Sequence, residues 1–183
     1  MSGEPVTTAA TLLEQYGRCD VFVHCAAALD QVTLVDADAA TWRHAVNVES
    51  ALWLAQAFTP GMAERHFGRI VFITSDTFWA PPAPALLAYI ASKGALLGIM
   101  RSLAVTLGAN GITLSAVAPG ITDAPASRVV DTHKQFDETV DRQALKRRLT
   151  PDDTATAVAY LACDMAAAMT GQVLCADGGL IMR

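Results

Sequence analysis

"RIVFITS", residues 69–75, sets four consecutive apolar residues between Arg69 and a closing Thr74–Ser75 pair. Nothing in it alternates apolar with polar, so both faces of a strand here must be covered, as in a parallel sheet flanked by helices. Three further stretches read the same way: "DVFVHCAA" (20–27), "ITLSAVAPG" (112–120) and "GQVLCADGG" (171–179). Helical segments separate them. One spans 6–16 and ends at Gly17. A second runs from about Ala39 to Arg65, interrupted near Pro60–Gly61. A third covers 86–108. A fourth opens at "TPDD" (150–153), with Thr150 as N-cap, Pro151 at the first position and acids in the first turn. "FWAPPAPA" (78–85) carries three prolines without backbone donors and is a loop. The polar stretch 121–149 reads as a helical flap. Alternation of this kind predicts an α/β fold: a parallel sheet of about four strands with helices on both faces.

The composition bounds the function. At 183 residues the chain reads as a single domain, with 52% apolar residues to build a core. A formal net charge of −5 argues against nucleic acid or an anionic membrane as partner. The basic run "LKRRL" (145–149) reads as a solvated helix end. Cys19, Cys25, Cys163 and Cys175 lack metal-site spacing and read as reduced packing residues of a cytoplasmic protein. The N-terminal residues do not read as a signal peptide, and no stretch reads as a membrane span.

One helix carries chemistry. "YIASK" (89–93) puts Tyr89 and Lys93 one turn apart on the helix that follows the strand ending in Ser75. Ligands of open α/β sheets sit at the carboxyl ends of the strands. A nearby ammonium favours a phenolate, so Lys93 is expected to lower the pKa of Tyr89 and let it move a proton at a carbonyl or alcohol oxygen. The Ser75 hydroxyl can hold that oxygen. By spacing alone, the face of an amphipathic helix is the favoured reading of this pair.

The order of motifs adds more. "GRCDVFVHCAA", "VNVES" (46–50), "GRIVFITS", "YIASKGAL", "GITLSAVAPG" and the closing "LTPDDTATAVAYLACDMAAAMTGQVLCADGG" together resemble the short-chain dehydrogenase/reductase family over nearly the whole chain. The resemblance implies a Rossmann-like sheet and hydride transfer between NAD or NADP and a small carbonyl or alcohol. It makes Tyr89 the catalytic acid/base, Ser75 the residue orienting the substrate oxygen, and Lys93 the partner of Tyr89 and of the nicotinamide ribose. Asn47 becomes the holder of a relay water. Ala26, Ala27, Pro119, Gly120 and Thr122 fall where the family meets its cofactor. Phe78 and Trp79 stand where a small apolar or aromatic substrate would be walled in, or where they pack the proline-rich loop. The family's habit of association further implies a homo-oligomer, or a hetero-oligomer with another family subunit, through the helix bearing Gly94 and Gly98.

Departures from the family pattern are equally readable. The 183 residues contain no G-x-G-x-x-G, and the match begins just before the family's fourth strand. Roughly 60–70 residues of β-α-β-α-β are thus expected to be missing, leaving strand 20–27 as an apolar edge. "HCAA" (24–27) replaces the family's Asn-Asn-Ala-Gly, and Thr122 lies closer to Pro119 than the family's threonine. His24 is read as structural, and Asp76 and His133 lie near the expected site mouth without an assigned partner. Three functions follow. The first is a family oxidoreductase whose cofactor-binding half is supplied. The second is a cofactor-independent acid/base enzyme (isomerase, dehydratase or aldol type) using Ser75, Tyr89 and Lys93, with no nucleotide. The third is a non-catalytic subunit docking onto a full-length relative.

Overall fold

The computed structural model describes residues 3–45, 48–130 and 133–182. Four strands form one sheet in chain order: β1 (Val21–His24), β2 (Gly68–Ile73), β3 (Ile112–Pro119) and β4 (Val173–Ala176). All three pairings are parallel, with Val21 opposite Arg69, Gly68 opposite Ile112, and Ala116 opposite Val173 at their first rungs. The strands are shorter than the apolar runs that encode them; "CAA" after His24 lies outside β1.

The helices are α1 (Gly3–Tyr16), α2 (Ala39–Ala45), α3 (Glu49–Glu64), α4 (Leu87–Leu107), α5 (Pro125–Val130), α6 (His133–Arg142) and α7 (Pro151–Ala162). Side chains alternate across the strands, and each set meets its own layer. Phe22, Ile70, Phe72, Ile112, Leu114 and Ala116 pack on one face with Ala9 of α1, Ala51, Ala55 and Phe58 of α3, and Leu96, Leu97, Met100 and Ala104 of α4. Val71 and Val117 pack on the other face against Leu161 of α7. Each large side chain so buried contributes about 1.5–3 kcal/mol. That second layer stops short of β1, whose Val21 and Val23 remain 41% and 39% exposed.

Local signals explain the element ends. Gly17 at φ 75° stops α1, its N–H returning to the Leu13 carbonyl. At α7, the Asp153 carboxylate accepts from the Thr150 N–H at 2.8 Å and hydroxyl at 3.1 Å, closing the first turn.

Some expectations change. The segment 39–65 holds two helices, α2 ending at Ala45 and α3 starting at Glu49, and Pro60 lies within α3. The proline is tolerated because Gln56, whose carbonyl loses its partner, and Pro60 itself are both exposed, so water can serve that carbonyl. The flap contains α5 and α6, while "LKRRL" follows the end of α6 in irregular backbone. Its arginines are paired: Arg147 grips Asp153 with two nitrogens at 2.7 and 2.8 Å, and Arg148 reaches Asp137 at 2.6 Å, while Lys146 donates to the Asp141 carbonyl. The four cysteines are free thiols, and Cys25 is exposed rather than packed. Leu87–Asn110 is in fact long and apolar enough by length and composition to cross a membrane. In this fold its Ala88, Ser92, Lys93, Leu96, Leu97, Met100 and Ala104 are buried, which makes it the core helix of the sheet.

Candidate active site

Chemistry gathers at the carboxyl ends of β1, β2 and β4, beside the first turns of α4. Beyond Ile73 the chain stays straight because Thr74 donates both its N–H (2.8 Å) and its hydroxyl (3.0 Å) to the Val117 carbonyl of β3. Ser75 is thereby delivered, buried, to the end of the sheet. The next residues turn into a short 3₁₀ helix (Asp76–Phe78), with Ser75 Oγ accepting from the Thr77 N–H at 3.2 Å and from the Thr77 hydroxyl at 3.0 Å. The Ser75 hydroxyl donates to Asp76 Oδ1 at 3.3 Å.

Tyr89 and Lys93 approach from α4. The Lys93 side chain is buried, and Nζ donates to the Ile73 carbonyl at 2.8 Å while lying 5.4 Å from the centre of the Tyr89 ring. Burial pushes the Lys93 ammonium down to about 8, with the nearby Cys25 thiol acting in the opposite direction. The Tyr89 phenol shifts upward, not downward as the Tyr–Lys spacing suggested. Burial is the largest cause, and a hydrogen bond with Ser75 opposes it, while Asp76 and Cys25 add to the rise. Lys93 spends its shortest contact on the Ile73 carbonyl and passes beside the ring, so burial decides the sign.

Two buried groups complete the surroundings. Asp76 is pushed up to about 6 by burial first and then by the charge of Asp177 beyond β4. His24, ending β1, shares a 2.9 Å hydrogen bond with Ser50 Oγ, is edge-on to Phe72, and leaves Nδ1 buried without a partner. Burial and the charge of Lys93 push it down to about 4, so at neutral pH it is an uncharged imidazole. Asp76 had no visible partner in the sequence; its adjacency to Ser75 and the Asp177 of "ADGG" (176–179) were the available signals.

The structure thus brings Ser75, Tyr89 and Lys93 together. Asn47 lies outside the described residues, and so does the side chain of His133. Ala26 and Ala27 follow β1 as exposed backbone near its carboxyl end. Pro119 ends β3, and Gly120 is pressed against Asp177, whose Cα would lie 3.0 Å from an added Cβ. Thr122 turns its hydroxyl back onto the Gly120 carbonyl at 3.0 Å. Phe78 and Trp79 meet edge to face at 5.0 Å. Trp79 packs against the core, and Phe78 covers Gly94 of α4, where a Cβ would come within 2.7 Å of its ring. Gly94 therefore serves a ring rather than a second helix, while nothing stands within 4 Å of a Cβ placed on Gly98.

Comparison with known proteins adds the lineage. The family described as Enoyl-(Acyl carrier protein) reductase matches residues 4–181. The chain is 31% identical, over 95% of its length, to 2-keto-3-deoxy-L-fuconate dehydrogenase of Xanthomonas campestris pv. campestris, and spans 62% of that protein. It is also 31% identical to the galactitol 2-dehydrogenase (L-tagatose-forming) of Cereibacter sphaeroides, covering 96% of this chain and 71% of that one. Among solved structures, acetoin dehydrogenase from Enterobacter cloacae superposes with a TM-score of 0.82 at 31% identity, over 96% of this chain and 69% of that one. YwfH, an NADPH dependent reductase involved in bacilysin biosynthesis, shares the fold with a TM-score of 0.90 at 20% identity, over 100% and 75%. A parallel sheet carrying Ser75, Tyr89 and Lys93 at its carboxyl end, matched along nearly all of its length, places this chain in the short-chain dehydrogenase/reductase family.

Proposed function

We propose that this chain carries the proton-transfer half of a dehydrogenase/reductase acting on a small carbonyl or alcohol. The observation that carries the reading is the convergence of Ser75, Tyr89 and Lys93 at the sheet end, with Lys93 2% exposed and its ammonium bonded to the Ile73 carbonyl. Three such donors side by side in a buried corner suit a substrate that presents an oxygen.

A nicotinamide nucleotide would supply or accept the hydride. Lys93 and Tyr89 suit the hydroxyls of its ribose. An ammonium has three donors, and Ile73 is its one hydrogen-bond acceptor among the described residues. Tyr89 would give its phenolic proton to a forming alkoxide, or take one from an alcohol, at the hydroxyl oxygen. Burial raises the cost of its phenolate, and a hydrogen bond from Ser75 offsets part of that cost. Lys93, already drawn down to about 8, is poised to exchange protons near neutral pH. Ser75 would orient the reacting oxygen. Phe78 and Trp79 would form an apolar wall beside it. The sugar-derived and hydroxyketone names among the relatives favour a small polyol or ketone as substrate. We further propose NAD or NADP as cofactor and association into an oligomer.

The test is a titration of the 183-residue chain with NADH and NADPH, read through quenching of Trp42, Trp53 and Trp79, followed by turnover assays on small ketones and polyols. Saturable binding near micromolar, or about −8 kcal/mol, with turnover falling at least about 100-fold in Tyr89→Phe, supports the reading. No nucleotide binding up to millimolar rejects a self-sufficient dehydrogenase. Turnover indifferent to nucleotide but lost in Tyr89→Phe would point to cofactor-independent acid/base chemistry instead.

A further inference from the structure

A hydroxyl has one proton to donate and two lone pairs to accept with. Both accepting positions of Ser75 Oγ are filled by Thr77, through its N–H and its hydroxyl. One proton is left, and two groups compete for it. On the inner side stands Asp76 Oδ1 at 3.3 Å. The other is the phenol oxygen of Tyr89, whose ionised form a hydrogen bond with Ser75 favours. The bond to Asp76 exceeds the usual O–H···O range of about 2.5–3.0 Å. It is a loose hold, and the proton can leave it.

What governs that hold is the charge on Asp76. The carboxyl group is buried at the sheet end, facing Asp177 from beyond β4, Tyr89 from α4 and, with the opposite sign, Arg142 from the end of α6. Asp177 is itself committed as an acceptor, taking the N–H of Gly179 at 3.0 Å and of Ile181 at 2.9 Å. The charge of Asp177 opposes ionisation of Asp76. Consistent with this geometry, Asp76 is held up to about 6.

We propose that Asp76 is a positioning residue that switches the direction of the Ser75 hydroxyl: ionised, it draws the Ser75 proton inward; protonated, it releases that proton toward the Tyr89 side, where a substrate oxygen would sit. The consequence for catalysis rests on the reading of Ser75 as the group that orients the substrate oxygen. With its lone pairs already occupied by Thr77, Ser75 can polarise a carbonyl only by donating. Because reduction and oxidation share one transition state, this donation speeds both as the pH falls through the Asp76 transition, on top of the proton that reduction itself consumes. No bond is made or broken in the step; a single hydrogen bond changes acceptor.

The test needs neither substrate nor nucleotide. In the wild-type chain with ¹³C-labelled Asp carboxyls, the resonance lost in Asp76→Asn is expected to titrate near pH 6. Ser75→Ala removes a hydrogen bond to the ionised form and moves that transition upward by about half a unit to one unit. Asp177→Asn removes the repelling charge and moves it downward. A second readout is the ultraviolet titration of Tyr89, taken as the difference from Tyr89→Phe. Asp76→Asn lowers the Tyr89 transition, and lowers it more when Ser75 is present than in the Ser75→Ala background. An Asp76 transition indifferent to Ser75→Ala overturns the proposal. So does an equal Tyr89 shift in both backgrounds, which would mean that Asp76 acts by its charge alone. These outcomes are separate from the nucleotide titration: the dehydrogenase reading can fail while the Ser75–Asp76 coupling stands, and the coupling can fail while Tyr89 still turns over substrate.

Discussion

The Lys93 ammonium donates to the Ile73 carbonyl at 2.8 Å, tying the middle of one turn of α4 to the last residue of β2. This contact holds a charge inside the protein close to the first turn of α4, and its cost is visible in the depressed pKa of about 8. Below pH 8 both folded and unfolded chains carry the proton, and folding bears the burial cost in full. Between about 8 and the unfolded value near 10.4 the native state releases the proton first, so stability rises with pH. Lys93→Met is expected to be the more stable protein at pH 7, by on the order of 2–3 kcal/mol, and to lose this rise. Urea unfolding at pH 7, 8.5 and 9.5 checks it; a wild-type stability flat across those points would sink the claim.

Asp76 and His24 act in opposite senses over nearly the same range. The folded pKa of Asp76, about 6, lies above its unfolded value, so its contribution falls as pH rises from about 4 to 6. That of His24, about 4, lies below its unfolded value, so its contribution rises from about 4 to 6.5. Their slopes offset each other in the wild type. Asp76→Asn should expose the His24 slope, and stability should then climb between pH 4.5 and 6.5. Thermal unfolding of both proteins across that range decides it, and parallel curves would contradict it.

Gly94 offers a test in which stability and local structure part company. A methyl there meets the Phe78 ring at 2.7 Å, but Phe78 is 41% exposed and can swing away. Alanine also gains about 1 kcal/mol of helix propensity over glycine. Gly94→Ala should therefore leave the unfolding midpoint nearly unchanged while displacing Phe78 from the Trp79 edge. The emission of a variant retaining only Trp79 should shift. An unaltered spectrum with lowered stability would show that the ring cannot move.

Gly111 has no such escape. It sits at φ 72°, and a Cβ would lie 2.2 Å from the His66 carbonyl oxygen, which is backbone. Gly111→Ala combines strain with a clash and should destabilise by more than about 2 kcal/mol. Denaturant titration would register it, whereas Gly98→Ala, in open space on α4, should be neutral or slightly stabilising.

The layered sheet was legible because its signals are local. Short unalternating runs rich in Ile, Val and Phe, such as "RIVFITS", read as covered strands, and "TPDD" reads as a helix start. The Tyr89–Lys93 pair was legible from helical spacing, and Ser75 from its place at a strand end. What escaped depends on contacts between distant residues. The sign of the Tyr89 shift depends on how deeply α4 sinks into the fold, and the role of Gly94 depends on where the ring of Phe78 lands. The Asp76–Asp177 opposition joins two strand ends about a hundred residues apart in sequence. Pro60 misled because a proline weakens a helix without ending it where buried residues on both sides, here Ala55 and Met62, hold the helix to the core.

The uneven covering of the sheet has a thermodynamic corollary. β2 and β3 are sealed between α3 and α4 on one side and α7 on the other, whereas β1 shows Val21 and Val23 to water. Resistance to local opening should accordingly fall from the centre of the sheet toward β1. Amide protons of Ile70 to Phe72 would exchange last, those of β1 much sooner. Ser75 and Lys93 are anchored to the slow end of that gradient through Val117 and Ile73. His24 rides on the fast end, so a fluctuation that frays β1 would carry the imidazole away while the tyrosine, serine and lysine stay assembled.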